Sequence, residues 1–259
     1  MLSEISSKEN PNYKRLKKTA VDKEIFIFIE GKKLLEEALK SNLNIKEVFV
    51  DKDNYNNLSE ELKNKNDCQI TFMNNSLIAS AFTTENIPAE SELIVALAEK
   101  PEWNLNDILK SRKDIVLLES IQDPGNLGSI IRSSSGFNIG GVILLLDSVY
   151  PFNTKVIRAS AGAVFNVPVV SVSDFNDFYK TVKSQNYKFL STSSKSGIEP
   201  EKAPKNQLYI FMFGNEGRGL SEELIKIGDE CIKIPHLSSI ESLNLSVAAS
   251  IILWEFYRR

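Results

Sequence analysis

Hydrophobic positions recur along this chain in two alternating periods. Short unbroken apolar runs read as buried strands. The segments between them place apolar residues at i, i+3 and i+4, the spacing of amphipathic helices. Ile25–Gly31 is the first clear strand and Lys32–Asn42 the helix after it. Ile45–Asp51, Cys68–Asn74 and Glu92–Glu99 are further strands, with helical segments at Asn57–Asn66 and Ser76–Thr83 between them. Residues before Ile25 have the pattern of an arm or short helix. This alternation predicts a small α/β domain over residues 1–100, with a mostly parallel or mixed sheet. Residues 101–113 lie in a polar, Pro-containing stretch with the composition of a linker. From Asp114 the alternation resumes: Ile115–Ser120, Gly140–Asp147, Tyr187–Ser194, Gln207–Glu216 and Cys231–Pro235 read as strands. Helices are expected after Asn126, over Asn153–Ala163, in Ser171–Asn186 and Ser221–Asp229, and at the end of the chain. In that last helix Leu243, Val247, Ile251 and Trp254 are expected as the buried stripe. Residues 114–259 therefore form a second β/α domain.

Composition adds limits. The 259 residues suit one large domain or two of ordinary size, and 42% hydrophobic content supports a sizeable core. No apolar run is long enough for a transmembrane helix, and the polar, mixed-charge N-terminus is unlike a secretory signal. Cys68 and Cys231 form neither a metal spacing nor a disulfide framework, so reduced cytoplasmic thiols are expected. A net charge of −3 argues against a protein that coats nucleic acid by bulk electrostatics. A local patch is still available, because Lys14, Arg15, Lys17 and Lys18 cluster near the N-terminus. The same cluster also fits a solvated helix face.

Candidate chemistry gathers in three loops that follow strands. The first, DPGNLGSIIR, opens after Ile115–Ser120; Gly125 and Gly128 permit close backbone approach. Leu127, Ile130 and Ile131 then share one helix face, making Asn126 a candidate N-cap and placing Arg132 in the second turn. Such a segment is either an ordinary capped helix or an anion or ribose site. The second loop, Gly214–Leu220 (GNEGRGL), brings Glu216, Arg218 and backbone amides. The third, Ile234–Ser246, brings Ser242 and Asn244 to the start of the last helix. In open α/β sheets ligands bind at the carboxyl ends of strands, where all three loops lie. No P-loop, early G-x-G-x-x-G or G-x-S-x-G elbow is present, and no recognised spacing assembles a metal site. His236, the single histidine, sits beside a proline and reads as structural.

Taken together and in order, DPGNLGSIIRSSSGF, GNEGRGL and IP…ESLNLSVAASI resemble the three motifs of the SpoU/TrmH family of RNA ribose 2′-O-methyltransferases, in the SPOUT superfamily. NTKVIRASAGA is similar to a further segment of that family, and FIEGKKLLEEAL…IKEVFV to its ribosomal-protein-like substrate-binding domain. The resemblance implies a trefoil-knotted C-terminal α/β domain that holds S-adenosyl-L-methionine in the knotted loops. It also implies a smaller N-terminal α/β RNA-binding domain and a homodimer with active sites at the subunit interface. Carried over position by position, it makes Asn126, Arg132, Glu216, Ser242 and Asn244 catalytic, and Gly214, Ile234 and Leu243 cofactor-binding. RNA contacts from Lys14, Arg15, Lys17 and Lys18 are expected beside these. His236 stands where the family usually has Met, and Ser238 where it usually has Gly, which bears on the shape of the third loop.

The chemistry suits these residue types. A ribose 2′-hydroxyl is a poor nucleophile until its proton is shared or removed, and a sulfonium methyl donor carries the driving force. The protein then has chiefly to align donor and acceptor. Arg132 reads better as a bidentate phosphate ligand than as a base, since a free guanidinium holds its proton far above neutral pH. Ribosomal RNA is the expected target ahead of transfer RNA. Two other classes fit parts of the pattern: a knotted RNA-binding protein without activity, and a small-molecule phosphate-binding enzyme built on GNEGRGL.

Overall fold

The computed structural model describes residues 3–20, 25–145, 147–204 and 206–258. They form two compact units, one of Met1–Glu102 with Phe152–Phe165 and one of Trp103–Pro151 with Asn166–Arg259.

The first unit runs β1 (Ser3–Ile5), α1 (Pro11–Thr19), β2 (Phe26–Glu30), α2 (Lys32–Lys40), β3 (Ile45–Val50), α3 (Lys52–Asn56), α4 (Glu60–Lys63), β4 (Gln69–Met73), α5 (Asn75–Ala81) and β5 (Ile94–Glu99). Its sheet has the order β1-β4-β3-β5-β2. β1, β4 and β3 are parallel, and β5 runs antiparallel to both its neighbours. Of the two expectations for the N-terminal segment, arm or short helix, the helix is the one found. Asn10 caps α1 and Pro11 starts it, while Tyr13 and Leu16 are buried in a core with Ile5, Phe28, Phe49, Ile78 and Leu97. The sequence signal for this was the i, i+3 pair Tyr13 and Leu16, obscured by the basic residues around it.

The second unit begins inside the expected linker. α6 (Leu105–Lys110) is held by a capping box between Asn104 and Asp107, and it buries Ile108 and Leu109. β6 (Ile115–Glu119), α7 (Pro124–Gly136) and β7 (Gly141–Leu145) follow. The chain then supplies α8 (Thr154–Ala159) to the first unit. That helix stops four residues before Ala163, because Ala161 and Gly162 adopt φ of 49° and 81° and close it as a turn. β8 (Val169–Val172), α9 (Phe175–Lys183), β9 (Lys188–Thr192), β10 (Tyr209–Phe213), α10 (Glu222–Ile227), β11 (Glu230–Ile232) and α11 (Leu245–Tyr257) complete the unit.

Its sheet has the order β11-β9-β10-β6-β7-β8 and is parallel throughout. Parallel strands buried on both faces read as unbroken apolar runs, as IVLLE, GVILL and YIFMF do. One core cluster takes Ile115, Leu117, Ile143, Ile210 and Met212 together with Phe178 and Leu224. α7 packs with α11, and Phe256 of α11 stands edge-on to Phe211 with ring centroids 4.8 Å apart. The buried residues of α11 are Ala249, Ile252, Leu253 and Phe256. The expected stripe is therefore turned outward: Val247, Ile251 and Trp254 are 47%, 40% and 50% exposed.

Candidate functional site

β6 and β10 lie side by side at the centre of the second sheet, with Ile115–Leu118 paired to Ile210–Phe213. The strand order departs in opposite directions from this pair, so the loops after β6 and β10 meet at a topological switch point.

The loop after β6 begins with Ser120 at φ 54°, a conformation uncommon for a residue with a Cβ. The Ser120 carbonyl accepts a hydrogen bond from Asn215 Nδ2 at 2.8 Å. α7 then starts earlier than expected. Asp123 is its N-cap, accepting from Asn126 N at 2.7 Å, with Pro124 in the first helical position. Asn126 is thus the third residue of the helix rather than its cap, and its side chain is buried.

The loop after β10 closes on itself. Asn215 and Gly219 exchange backbone hydrogen bonds of 3.0 and 2.8 Å, and Asn215 Oδ1 accepts from the amides of Gly217 and Arg218. A Cβ at Gly214 would stand 2.0 Å from the Gly219 carbonyl carbon and 2.1 Å from Leu220 N, so this position excludes any side chain. The closed loop aims Glu216 back at the first loop. Its carboxylate accepts from Asp123 N at 3.1 Å, Asn126 Nδ2 at 3.2 Å and, at 3.4 Å, from Gln122 N and Asn215 Nδ2.

The third loop joins through Asn244. Its Oδ1 caps α11 by accepting from the amides of Ser246 and Val247, and its Nδ2 donates to Asn126 Oδ1 at 3.1 Å. One relay, Asn244 to Asn126 to Glu216, therefore ties the three loops together. Each amide in it has a defined orientation, since Asn126 must accept with Oδ1 and donate with Nδ2.

Beside the relay lies a cavity of about 360 Å³. Gly214, Glu216, Ile234, Ser242 and Leu243, all singled out from the sequence, line it. His236 lines it too, with Nδ1 2.8 Å from the Ile234 carbonyl oxygen. Sequence reading missed the strip Thr192–Lys195 after β9, which forms another wall. Its position is set by strand order, which no local motif reports. Arg132 stands apart from these groups: it is exposed on α7 and has no hydrogen-bond or ion-pair partner among the described residues.

The basic cluster of the first unit is largely committed to its own fold. Lys14 pairs with Glu9, and Arg15 pairs with the buried Glu47. Lys17 donates to the carbonyls of Ser80 and Ala81 at 3.2 and 3.3 Å, at the C-terminal end of α5, and Lys18 is exposed. Among the described residues no group of three or more His, Cys, Asp or Glu could hold a metal ion, and no helix is long and apolar enough to cross a membrane.

The SpoU rRNA Methylase family model matches residues 113–254. Over 257 residues, 98% of either chain, this protein is 29% identical to the 23S rRNA (guanosine(2553)-2′-O)-methyltransferase RlmP of Bacillus subtilis. Its fold is similar to that of an AdoMet-bound rRNA methyltransferase from Sinorhizobium meliloti, with a TM-score of 0.85 and 23% identity, covering 99% of this chain and 98% of that one. The SpoU methyltransferase AviRb from Streptomyces viridochromogenes, in complex with AdoMet, gives a TM-score of 0.84 at 23% identity, covering 96% and 98%.

Proposed function

The chain belongs to the SpoU rRNA Methylase family, and we propose that its chemistry is carried by the joined loops after β6, β10 and β11. It is an RNA ribose 2′-O-methyltransferase that uses S-adenosyl-L-methionine. The observation that carries the site assignment is the relay Asn244–Asn126–Glu216 beside the 360 Å³ cavity.

The cavity fits the cofactor. Its volume lies in the range of small-molecule sites, roughly 300–1,000 Å³. Its walls combine apolar side chains, Leu220, Ile232, Ile234 and Leu243, with polar groups and the glycine-rich loop backbone. Gly214, Ile234 and Leu243 hold the cofactor in this reading. S-adenosyl-L-methionine supplies the methyl group from a sulfonium centre. What remains for the protein is to present the ribose 2′-hydroxyl in line with that methyl and to share its proton.

Glu216 meets four donors, so its role is to bind the first loop to the second rather than to stand open as a proton acceptor. Asn126 has both ends of its amide engaged and passes that order on to Asn244. Ser242, exposed at the cavity rim, is positioned to meet the ribose. Arg132 is exposed and uncommitted, which suits a guanidinium that grips the phosphate next to the target nucleotide through two parallel hydrogen bonds. Gripping the phosphate fixes where the hydroxyl points.

The further architecture is part of the same reading. The three loops form the trefoil knot, and two copies associate through the outward face of α11. The first unit recognises RNA, and the enzyme works in the cytoplasm on large-subunit ribosomal RNA in preference to transfer RNA. A guanosine is the target to test first, from the likeness to RlmP. Mapping 2′-O-methyl groups in total RNA from cells with and without the gene tests the activity. One ribosomal position should lose its methyl group when the gene is absent; a map that does not change overturns the assignment.

A further inference from the structure

Substrate RNA carries a phosphate at every nucleotide, and the N-terminal basic cluster is mostly engaged in internal pairs. Uncommitted positive charge is found instead at the mouth of the cavity. Lys195, on the strip after β9, is exposed, and its ammonium has no partner among the described residues. Lys233, just past β11, donates from Nζ to the Lys195 carbonyl at 3.2 Å, which leaves two of its protons for other acceptors. Arg218, on the loop after β10, is exposed, has no side-chain partner among the described residues and lines the same cavity. Against these stand Glu241, also in the lining, and Glu216, whose oxygens already face four donors.

The segment carrying Lys195 is not a loose loop. Ser193 N donates to the Ile232 carbonyl at 3.0 Å, Ile198 N to the Cys231 carbonyl at 2.8 Å, and Lys233 N to the Ile198 carbonyl at 2.9 Å. Ser193 Oγ accepts from the amides of Lys195 and Ser196, and Cys231 Sγ donates to the Ser196 carbonyl. Gly197, at φ 141°, lies so close to β11 that a Cβ would stand 2.6 Å from the Cys231 carbonyl oxygen. The backbone is thus fastened to β11 on both sides of Lys195, which fixes where its side chain leaves the main chain.

We propose that Lys195 and Lys233 form a phosphate-binding edge for the substrate RNA at the mouth of the cofactor cavity, with Arg218 extending it. This rests on the reading of the protein as an RNA methyltransferase. A backbone already held in place lowers the ordering cost of the contact, and each phosphate neutralised releases condensed counterions.

Binding of a large-subunit ribosomal RNA transcript to the full-length protein tests the proposal, measured over a range of potassium chloride concentrations. Calorimetry with S-adenosylhomocysteine is run beside it. Because its side chain is exposed and makes no hydrogen bond or ion pair among the described residues, Lys195→Ala should fold normally. It should weaken RNA binding about tenfold at low salt and reduce the slope of log affinity against log salt by about 0.7, the value for one single-strand phosphate. Lys195→Arg should restore both, Lys233→Ala should act in the same direction, and affinity for S-adenosylhomocysteine should fall far less than affinity for RNA. An unaltered RNA affinity and slope in Lys195→Ala would overturn the edge. So would a fall in S-adenosylhomocysteine affinity with the RNA slope unchanged, which would hand the lysine to the cofactor's carboxylate. Failure of the parent reading looks different: the wild-type protein would transfer no methyl group to RNA.

Discussion

Arg132 and Asn126 sit six positions apart on α7 and have opposite surroundings, and the contrast separates their tasks. Asn126 is buried with both ends of its amide used, so it fixes loops. Arg132 is exposed with nothing to hold in the fold, so its removal should leave the fold and the cofactor cavity intact. Arg132→Ala should therefore lose nearly all methyl transfer while calorimetry finds cofactor affinity unchanged. Arg132→Lys distinguishes a phosphate ligand from a base. Lysine keeps the charge but loses the two-pronged fork, and it gives up its proton more readily, near pH 10.4 in the reference state. A phosphate-orienting arginine predicts a poor Lys variant at every pH. Activity that recovers as pH rises towards about 10, in single-turnover transfer, would make residue 132 the base instead. The sequence made Asn126 legible as important and misread why. Asp123 followed by Pro124 was the stronger start signal, an N-cap residue and then the favoured first helical position. Glu216 was legible as a site residue, but its partners in the first loop lie 90 or more positions away, and no local pattern reports them.

Elements show what periodicity can and cannot decide. α11 is apolar nearly all round, so a 3.6-residue period finds two faces and cannot say which one faces the sheet. Ile252, Leu253 and Phe256 go inward, while Val247, Ile251, Trp254 and Tyr257 remain outside, with Phe137 of α7 5.8 Å from both aromatic rings. This uncovered apolar face is where the proposed second copy would dock. Phe256 is excluded from it, being buried against Tyr209 and Phe211. Under the proposed assembly the wild type should sediment as a dimer at micromolar concentration and Trp254→Glu as a folded monomer; a variant that stays dimeric would move the interface elsewhere. β8 escaped the sequence reading because VVSV is only four residues long and runs into a polar helical stretch, and only its pairing with β7 makes it a strand. A different element-scale constraint comes from Asp229, just before β11. Burial raises its pKa, but the Phe189 amide and the ammonium groups of Lys183 and Lys188 outweigh that and hold the carboxyl below its ordinary value. A carboxylate with a lowered folded-state pKa contributes stability that is complete above its unfolded value, about 3.9, and is lost as pH falls through the folded value. Asp229→Asn should accordingly lower the melting temperature at pH 7, and the difference from wild type should close below about pH 3.9. A gap that stayed constant with pH would mean that packing, not charge, holds this corner.

At the scale of the whole molecule, two α/β halves and all their strands but β1 and β8 were legible from alternating runs of apolar residues, because buried strands and amphipathic helices write themselves into sequence. The composition of the first unit was not. It takes in Phe152–Phe165, a segment that belongs by sequence order to the other half of the chain. Val156, Ile157, Val164 and Phe165 are buried there, and Gly162, at φ 81°, lies so close to α2 that a Cβ would stand 2.9 Å from Glu37 Cβ. The polar tie is between residues 128 positions apart: Arg158 of α8 donates to Glu30 at the end of β2, whose carboxylate also accepts from the Thr83 amide. Thr83 Oγ1 accepts a further bond from Arg158 at 3.3 Å and meets Thr154 Oγ1 at 2.7 Å. Such a pairing carries no local signature, since an arginine in a helix and a glutamate ending a strand each read as solvated. The Glu30 side chain is 2% exposed and that of Arg158 29%, so removing the cation leaves a buried carboxylate with one amide donor. Arg158→Met should cost about 3 kcal/mol, the low end for breaking a buried pair, because the Thr83 amide and partial solvent access soften the loss. Glu30→Gln together with Arg158→Met removes the orphaned charge and should recover a large part of that stability. Chemical denaturation of the full-length protein measures both. If the first unit unfolds in a transition of its own, the loss should appear in that transition alone. A single variant within about 0.5 kcal/mol of wild type would show that apolar packing of α8, without the ion pair, is what holds the segment in the first unit.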